Sequence, residues 1–324
     1  MTTVLVTGDV MLGRRVGDRL ADVDDPAAAL RPMADLLSAA DLTIGNLEST
    51  LSRAGAPRQG GDSFGAVSSV RQGLRLAGFD VLSLANNHTG DYGPRALVQT
   101  VDRARSGGFR TVGAGRDLAA AARPVVVRRN GTTFGIVAFD AIGETPAAAP
   151  DAPGALRLRM QPRTGPLDQD DLARVTGIVR ELAHRADVVL VLPHWGTQYT
   201  HDTVGDQRVV ARRLVRAGAD VVVGGHPHWV QGVESVDAAE GALVAYSLGN
   251  FVFDMDFMQQ TQEGVLLALR FRGDRLEGAR LRPYVVGPDF APRLAPGPRG
   301  DAILADVRRA SGPPLRGTTV ELRR

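Results

Sequence analysis

The sequence predicts a layered α/β protein, and three observations carry that expectation. Short apolar runs rich in Val, Leu and Ile recur along the chain and end in Gly, Asn or His, as buried strands do. Segments with helical spacing lie between them, an alternation that stacks helices on a sheet. Asn130-Gly131 separates two apolar stretches within residues 124–141 and reads as a tight hairpin. A purely parallel sheet contains no hairpin, so a mixed sheet or a two-sheet sandwich is favoured.

Taken in order, residues 4–9 (VLVTGD), 42–46 (LTIGN) and 81–87 (VLSLANN) read as strands. Ala29, Leu30, Met33, Leu36 and Leu37 give a helical face over 26–39, and Pro94 at a first-turn position opens a helix over 94–104. After the hairpin, residues 142–166 are rich in Ala, Pro and Gly with little periodicity and read as a long surface loop rather than a domain linker, an inert connector first and a lid or substrate loop second. A helix from 168 through 184, a strand at 188–194 (VVLVLPH), a helix at 207–217 and a strand at 220–226 (DVVVGGH) follow. Residues 242–254 and 264–286 read as antiparallel strands, the latter pair joined around Gly273-Asp274. The Pro/Gly/Arg-rich stretch 287–324 reads as a tail covering a domain of residues 1–286, with one short helix near 300–310.

Composition removes whole classes of chemistry. The chain has 324 residues, 44% hydrophobic and 23% charged, values that fit neither a disordered nor a lipid-embedded chain. All 38 basic residues are arginine, so lysine Schiff bases, pyridoxal-phosphate lysines and Walker-type lysines are excluded, and the absence of Cys excludes thiol catalysis, thiolate metal sites and disulfides. The arginines are interleaved with 36 acids, leaving +2 and no basic stripe, so nucleic acid is not an expected partner. The N-terminal MTTVLVTGDVMLGRR enters a strand-like run with no charged leader, and no run is long enough for a transmembrane helix, so a cytoplasmic location is expected.

Four of the six histidines, His88, His194, His226 and His228, lie at or just beyond the carboxyl ends of apolar runs, where open α/β sheets place ligands. GGHPH at 224–228 presents two imidazoles in an i, i+2 pair, which by itself fits a metal site or a structural loop equally well. His194 alone reads as a hydrogen-bonded turn histidine, ANNHTGD at 85–91 as a cluster that either coordinates a metal through carbonyl oxygen or caps the helix at 94, with Asn86 and Asp91 the candidate caps, and Asp9 and Glu48, each singly, as structural acids. Convergence changes the reading. Five strand ends supply Asp9, Glu48, Asn87 with His88, His194, and His226 with His228, a mixed nitrogen and oxygen set without sulfur that suits two divalent ions (Mn, Fe or Zn) sharing a bridge.

GDVMLGR at 8–14, NLES at 46–49, GFDVLSLANNHTGDYG at 78–93, HWG at 194–196, GADVVVGGHPHWVQ at 218–231 and YSLGNFVFD at 246–254 together resemble the CapA-type capsule or poly-γ-glutamate biosynthesis proteins, over about residues 3–286. That family belongs to the calcineurin-like metallophosphoesterase superfamily, so the resemblance implies a four-layer α/β/β/α sandwich with two mixed sheets and a dinuclear metal centre at the strand ends. It implies Asp9 as a ligand of the first metal, closed by His228, with Asn87, His194 and His226 on the second and His88 as general acid.

The chain departs from the superfamily pattern in three places. Met11 stands where the first motif usually has His, which leaves the first metal weaker or differently completed. The bridging aspartate normally follows a Gly. Asn46 follows Gly45 here, and a neutral amide offsets little charge, so the bridge is assigned to Glu48 with Asn46 as second candidate. Gln198 replaces the carboxylate of HWG-x-E-Y, which would alter specificity if that acid contacts substrate. Arg14, Gln198 and His201 are the substrate-binding candidates, Arg14 because a guanidinium can fork an anion, although a solvated helix-start arginine fits it as well. Trp195 and Trp229 read as core residues.

The leading expectation is a hydrolase that uses two divalent ions and an activated water on a phosphoester, with His88 protonating the leaving group of a small anionic substrate. Amide or γ-glutamyl chemistry at the same centre is the alternative. A non-catalytic accessory role in anionic polymer (capsule) synthesis is the third reading, disfavoured by the lack of a membrane segment.

Overall fold

The strand Thr2–Val10 is apolar on both faces, and its side chains alternate between two cores: Val4 and Val6 join one cluster, Leu5 another. A register shift between Val6 and Asp9 reverses that phase, so Val10 packs on the Leu5 side and Asp9 stays with the groups of the second sheet. In the computed structural model, which describes residues 1–67, 69–236, 242–311, 315–316 and 319–320, this strand is central to a mixed ten-stranded sheet. Leu42–Leu47, Val81–Ser83 and Arg110–Val112 continue it in parallel on one side, and Glu263–Arg272 pairs antiparallel on the other.

The second sheet has six strands in the order Val233–Val236, Ala242–Ala245, Val221–Val223, Val188–His194, Thr132–Asp140 and Val125–Arg129. Its four inner strands are parallel, and an antiparallel strand closes each edge. The hairpin turns at Asn130 and Gly131, both at positive φ (48° and 87°), as a type I′ turn requires. Along Val188–His194, Val188, Leu190 and Leu192 face a cluster shared with the first sheet, while Val189 and Val191 face the other side. That shared cluster joins Val4, Val6, Leu42 and Ile44 to Ile136, Leu190 and Val221. Helices Arg14–Asp22, Arg31–Ser38, Val70–Leu76 and Gly93–Ser106 pack on the first sheet's other face, and Gln169–Ala183 and Gly205–Arg216 on the second's. Asp168 caps its helix by accepting from the backbone N–H of Asp170 (3.1 Å) and Asp171 (2.9 Å).

Three expectations are corrected. The helix expected over 26–39 is confined to Arg31–Ser38, because Asp25 accepts from the Ala27 N–H (2.9 Å) and holds residues 26–30 in turns. Residues 142–166 are not a surface loop: Leu156, Leu158 and Met160 alternate into the core of the second sheet, and Gly154–Ala155 pairs with Ala114–Gly115. Ala242–Ala245 is antiparallel only to Val233–Val236 and parallel to Val221–Val223, and Asn250–Val252 is parallel to the first strand. The strand Val233–Val236 and the helix Val70–Leu76 have no counterpart in the sequence reading, and of the helix Arg14–Asp22 only its start at Arg14 does. Within 287–324, the helix Pro298–Ala310 sends Ile303, Leu304 and Val307 into the intersheet cluster, while residues 312–314, 317–318 and 321–324 lie outside the described residues. Among the described residues no helix is long and apolar enough to cross a membrane.

Candidate metal centre

Parallel strands deliver their carboxyl ends to one edge, and the predicted residues meet there. Asp9 lies beside Asn46 in register, and His194 beside Asp140. Glu48 follows Leu42–Leu47, Asn87 and His88 follow Val81–Ser83, and His226 and His228 follow Val221–Val223. Asp9, Glu48, His194, His226 and His228 are each at most 2% exposed. A ligand oxygen or nitrogen from each of Asp9, Glu48 and His194 falls within 4.8 Å of the others, and the same holds for Glu48, His226 and His228. Glu48 is common to both groups.

Hydrogen bonds fix this cluster from behind. The Asn46 Nδ2 and the His226 backbone N–H donate to the two Asp9 oxygens at 2.8 and 2.9 Å. Asn86 Nδ2 donates to Asn46 Oδ1 at 3.0 Å, which orients that amide. His194 Nε2 meets Asn87 Oδ1 at 2.9 Å, and Asn87 Nδ2 donates to Glu144 at 2.7 Å. His228 Nδ1 meets Asn250 Oδ1 at 2.8 Å and lies 3.9 Å from Asp9 Oδ2. Met11 contributes no ligand atom here: it is buried, and its sulfur accepts from the Gly13 N–H.

Among the described residues both Glu48 oxygens and both His226 ring nitrogens are buried without a hydrogen-bond partner. Native proteins rarely tolerate such groups, since each costs about 1–3 kcal/mol. A divalent cation would satisfy both residues at once, and a carboxylate and imidazole set is the donor chemistry that Mn, Fe or Zn accepts. The cluster's protonation points the same way. Burial holds His194 and His226 below the usual imidazole range and brings His228 down to about 3, so all three rings are neutral and able to ligate. Burial, reinforced by the Glu48 charge, raises Asp9 to about 7. Burial also raises Glu48 to about 8, against the opposing pull of His88. Carboxylates so penalised for being charged are receptive to a cation.

His88 is held differently. Its Nδ1 meets Asp91 Oδ2 at 2.9 Å, its ring stacks on Phe64 with centroids 3.7 Å apart, and its Nε2 faces Glu48 at 3.9 Å. Burial opposes its charge, but the Asp91 hydrogen bond and charge, with Glu48 and Glu144, raise it overall.

The substrate-binding candidates separate. Arg14 is near the cluster: its guanidinium lies 4.5 Å over the Phe64 ring and is tied to Asp254 and, at 2.9 Å, to Asp62. Gln198 is half-buried beside Tyr199, whose ring is parallel to that of His228 at 6.0 Å. His201 is turned away, with Nδ1 on the Val230 carbonyl at 2.7 Å and Nε2 4.0 Å from Asp306 of the C-terminal helix. Trp195 is fully buried and donates to the Tyr246 carbonyl, as a core residue does. The sequence reading gave no role to Asn250, Glu144 or Tyr199 and read Asn86 and Asp91 as helix caps. One further signal marks this edge. Of the seven non-glycine residues at positive φ among the described residues, Arg14, Glu144, Tyr199, His226 and His228 lie here, and such strain concentrates at functional sites.

The fold and the cluster define a mixed α/β protein with a buried carboxylate and imidazole centre able to hold metal. Residues 3–255 match the family described as bacterial capsule synthesis protein PGA_cap, and the chain belongs to that family. It is 30% identical over 264 residues to the PGA biosynthesis protein CapA of Bacillus subtilis, covering 80% of this chain and 65% of that one. It is also 30% identical over 276 residues to the capsule biosynthesis protein CapA of Bacillus anthracis, covering 83% and 64%. The matched region thus spans just under two thirds of these relatives. The crystal structure of a hypothetical protein from Thermus thermophilus superposes with a TM-score of 0.51 at 16% identity, over 87% of this chain and 99% of that one, a likeness of fold alone.

Proposed function

We propose that this chain is a metal-dependent hydrolase of the capsule synthesis family, built as the four-layer α/β/β/α sandwich of calcineurin-like metallophosphoesterases, and that it hydrolyses a phosphoester of a small anionic substrate. The observation that carries the proposal is Glu48: a fully buried carboxylate with both oxygens unpartnered, common to two ligand groups and 3.6 Å from His194 Nε2. The layering of three apolar clusters, helices outside and two sheets inside, supports the sandwich.

Asp9, Glu48 and His194, with Asn87, would hold one ion, and His226 and His228 with Glu48 the other. Bound ions would supply Lewis-acid polarisation of a phosphoryl or carbonyl oxygen and activate water. The chain does the rest. Asn46 and the His226 N–H fix the Asp9 carboxylate, and Asn250 fixes the His228 tautomer, so neither ligand reorganises on loading. His88, oriented by the Asp91 carboxylate at Nδ1 and with Nε2 toward the cluster, is the group placed to donate the proton to the leaving oxygen. Arg14 presents a guanidinium at the same edge for an anionic group.

A second reading keeps this centre and replaces the phosphoester with an amide or γ-glutamyl bond, favoured by the biosynthesis named for the Bacillus subtilis relative. Turnover of p-nitrophenyl phosphate, bis-p-nitrophenyl phosphate and γ-glutamyl p-nitroanilide by the Mn-treated chain tests both. Chelator-sensitive phosphoester turnover is expected. Turnover of the anilide alone would replace the reaction class, and turnover of none would leave the accessory reading.

A further inference from the structure

A line of aromatic rings runs from the metal cluster to solvent. His228 is buried, the half-buried Tyr199 ring stacks on it at 6.0 Å, and the Phe257 ring meets Tyr199 edge-to-face at 5.6 Å and is 59% exposed. Among the described residues Phe257 is the most exposed of the large apolar side chains and the one aromatic among those exposed, and its neighbour Met258 is exposed as well. Single apolar residues scattered over a surface are ordinary, but an adjacent pair beside a buried polar centre is not scatter.

Polar bonds hold both rings in place. Around Phe257, the Arg15 guanidinium donates to the two Asp256 oxygens at 2.8 and 2.7 Å, Arg14 pairs with Asp254, and the Thr261 hydroxyl lies 2.7 Å from the Met255 and Met258 carbonyls. Tyr199, at a φ of 60°, donates its N–H to the Pro227 carbonyl at 2.9 Å. The chain thus fixes a phenylalanine in water, forgoing the gain of burying it, on a loop tied to the guanidinium of Arg14. An exposed ring held in advance by its own backbone loses little freedom when a guest packs on it.

We propose that Tyr199 and Phe257 form a stacking corner at the mouth of the metal centre, and that the phosphoester bound there carries a planar unsaturated ring on its alcohol side. The inference rests on the phosphoester reading and names the class of its substrate. Two rings at 83° to one another let a flat guest meet one face-on and the other edge-on, the two arrangements that aromatic pairs favour. A puckered aliphatic ring of the same size offers no such face. His228 lies one ring contact inward from Tyr199, so a small molecule can place its anionic head at the centre and its ring in the corner.

The test is calorimetric titration of the Mn-treated full chain with 2-phenylethylphosphonate and 2-cyclohexylethylphosphonate, which share a non-hydrolysable anionic head and differ in the flatness of the ring. The flat ring is expected to bind about threefold to tenfold more tightly. Phe257→Leu, which keeps an apolar side chain at an exposed position, should abolish that preference, and Phe257→Trp should keep it, with metal content unchanged in both. Equal affinity for the two phosphonates in the wild type, or a preference that survives Phe257→Leu, would overturn the proposal and leave the phosphoester reading standing. Binding of neither phosphonate to the Mn-loaded chain would bring down both. A wild-type dimer in sedimentation that Phe257→Ser dissociates would assign the exposed pair to a second copy of the chain and overturn the proposal as well.

Discussion

Gly225→Ala is the most local way to disturb the centre without deleting a ligand. A β-carbon at Gly225 would fall far inside contact distance of Asp9 Oδ1 and 3.3 Å from His194 Nδ1. The backbone cannot back away: the Gly225 N–H donates to the Pro193 carbonyl at 3.0 Å, and its carbonyl accepts from the Trp195 N–H at 3.0 Å. Asp9 must therefore rotate and surrender one or both of its bonds from Asn46 (2.8 Å) and the His226 N–H (2.9 Å). At about 1.5–3 kcal/mol for each bond to a charged group, the expected loss is roughly 1.5–6 kcal/mol. Urea unfolding of the metal-free protein reads the stability, and Mn titration reads the site, where affinity should fall at least about tenfold because Asp9 no longer faces its partners. Gly177→Ala is the control: Gly177 is inside the helix Gln169–Ala183 with open space around it, so alanine there should be neutral or stabilising by up to about 1 kcal/mol. A Gly225→Ala protein with wild-type midpoint and wild-type Mn affinity would refute the geometry argued for Asp9.

Three further outcomes follow from the site. His226→Ala removes two unpartnered ring nitrogens and should lower bound metal; unchanged stoichiometry in the purified variant would remove His226 from the ligand set. His88→Asn should keep its metal and slow turnover about 10²–10⁴-fold on a substrate with a poor leaving group, whereas wild-type turnover would dismiss the general-acid role. The metal-free protein should lose thermal stability between about pH 7 and 9. Asp9 and Glu48 have folded values raised to about 7 and 8, so their contribution is whole below the usual carboxyl range and is lost as pH rises through those values. Above pH 7 His194, His226 and His228 are neutral folded and mostly neutral unfolded, and add little opposing slope. A flat or rising melting temperature across that window would contradict the burial argument.

Much of this was legible in the sequence because the signal was local. Val188–His194 is a run of apolar residues ending in His, and parallel pairing then carries every such ending to one edge. The hairpin at Asn130-Gly131 was legible for the same reason. What escaped depends on side-chain placement that the local pattern does not fix. Asn250 has no role in the sequence reading, which places it within the strand expected over 242–254, until its side chain meets His228, 22 residues away. Asp91 reads as a cap three residues after His88, and only the turn places its carboxylate on Nδ1. Leu156, Leu158 and Met160 alternate with polar residues inside a Pro/Gly-rich stretch, too briefly to outweigh that composition, so burial of residues 142–166 went unread. His201 is a substrate-binding candidate in the sequence, but the Val230 carbonyl and Asp306 draw it toward the C-terminal helix.

The central claim is that Glu48 is shared by two ion sites, and counting ions tests it most directly. Protein purified without added metal, incubated with Mn and desalted, would be measured by elemental analysis alongside Glu48→Gln. The account predicts about two ions per wild-type chain and a marked loss in the variant. No bound metal in the wild type, or equal stoichiometry in both proteins, would contradict it.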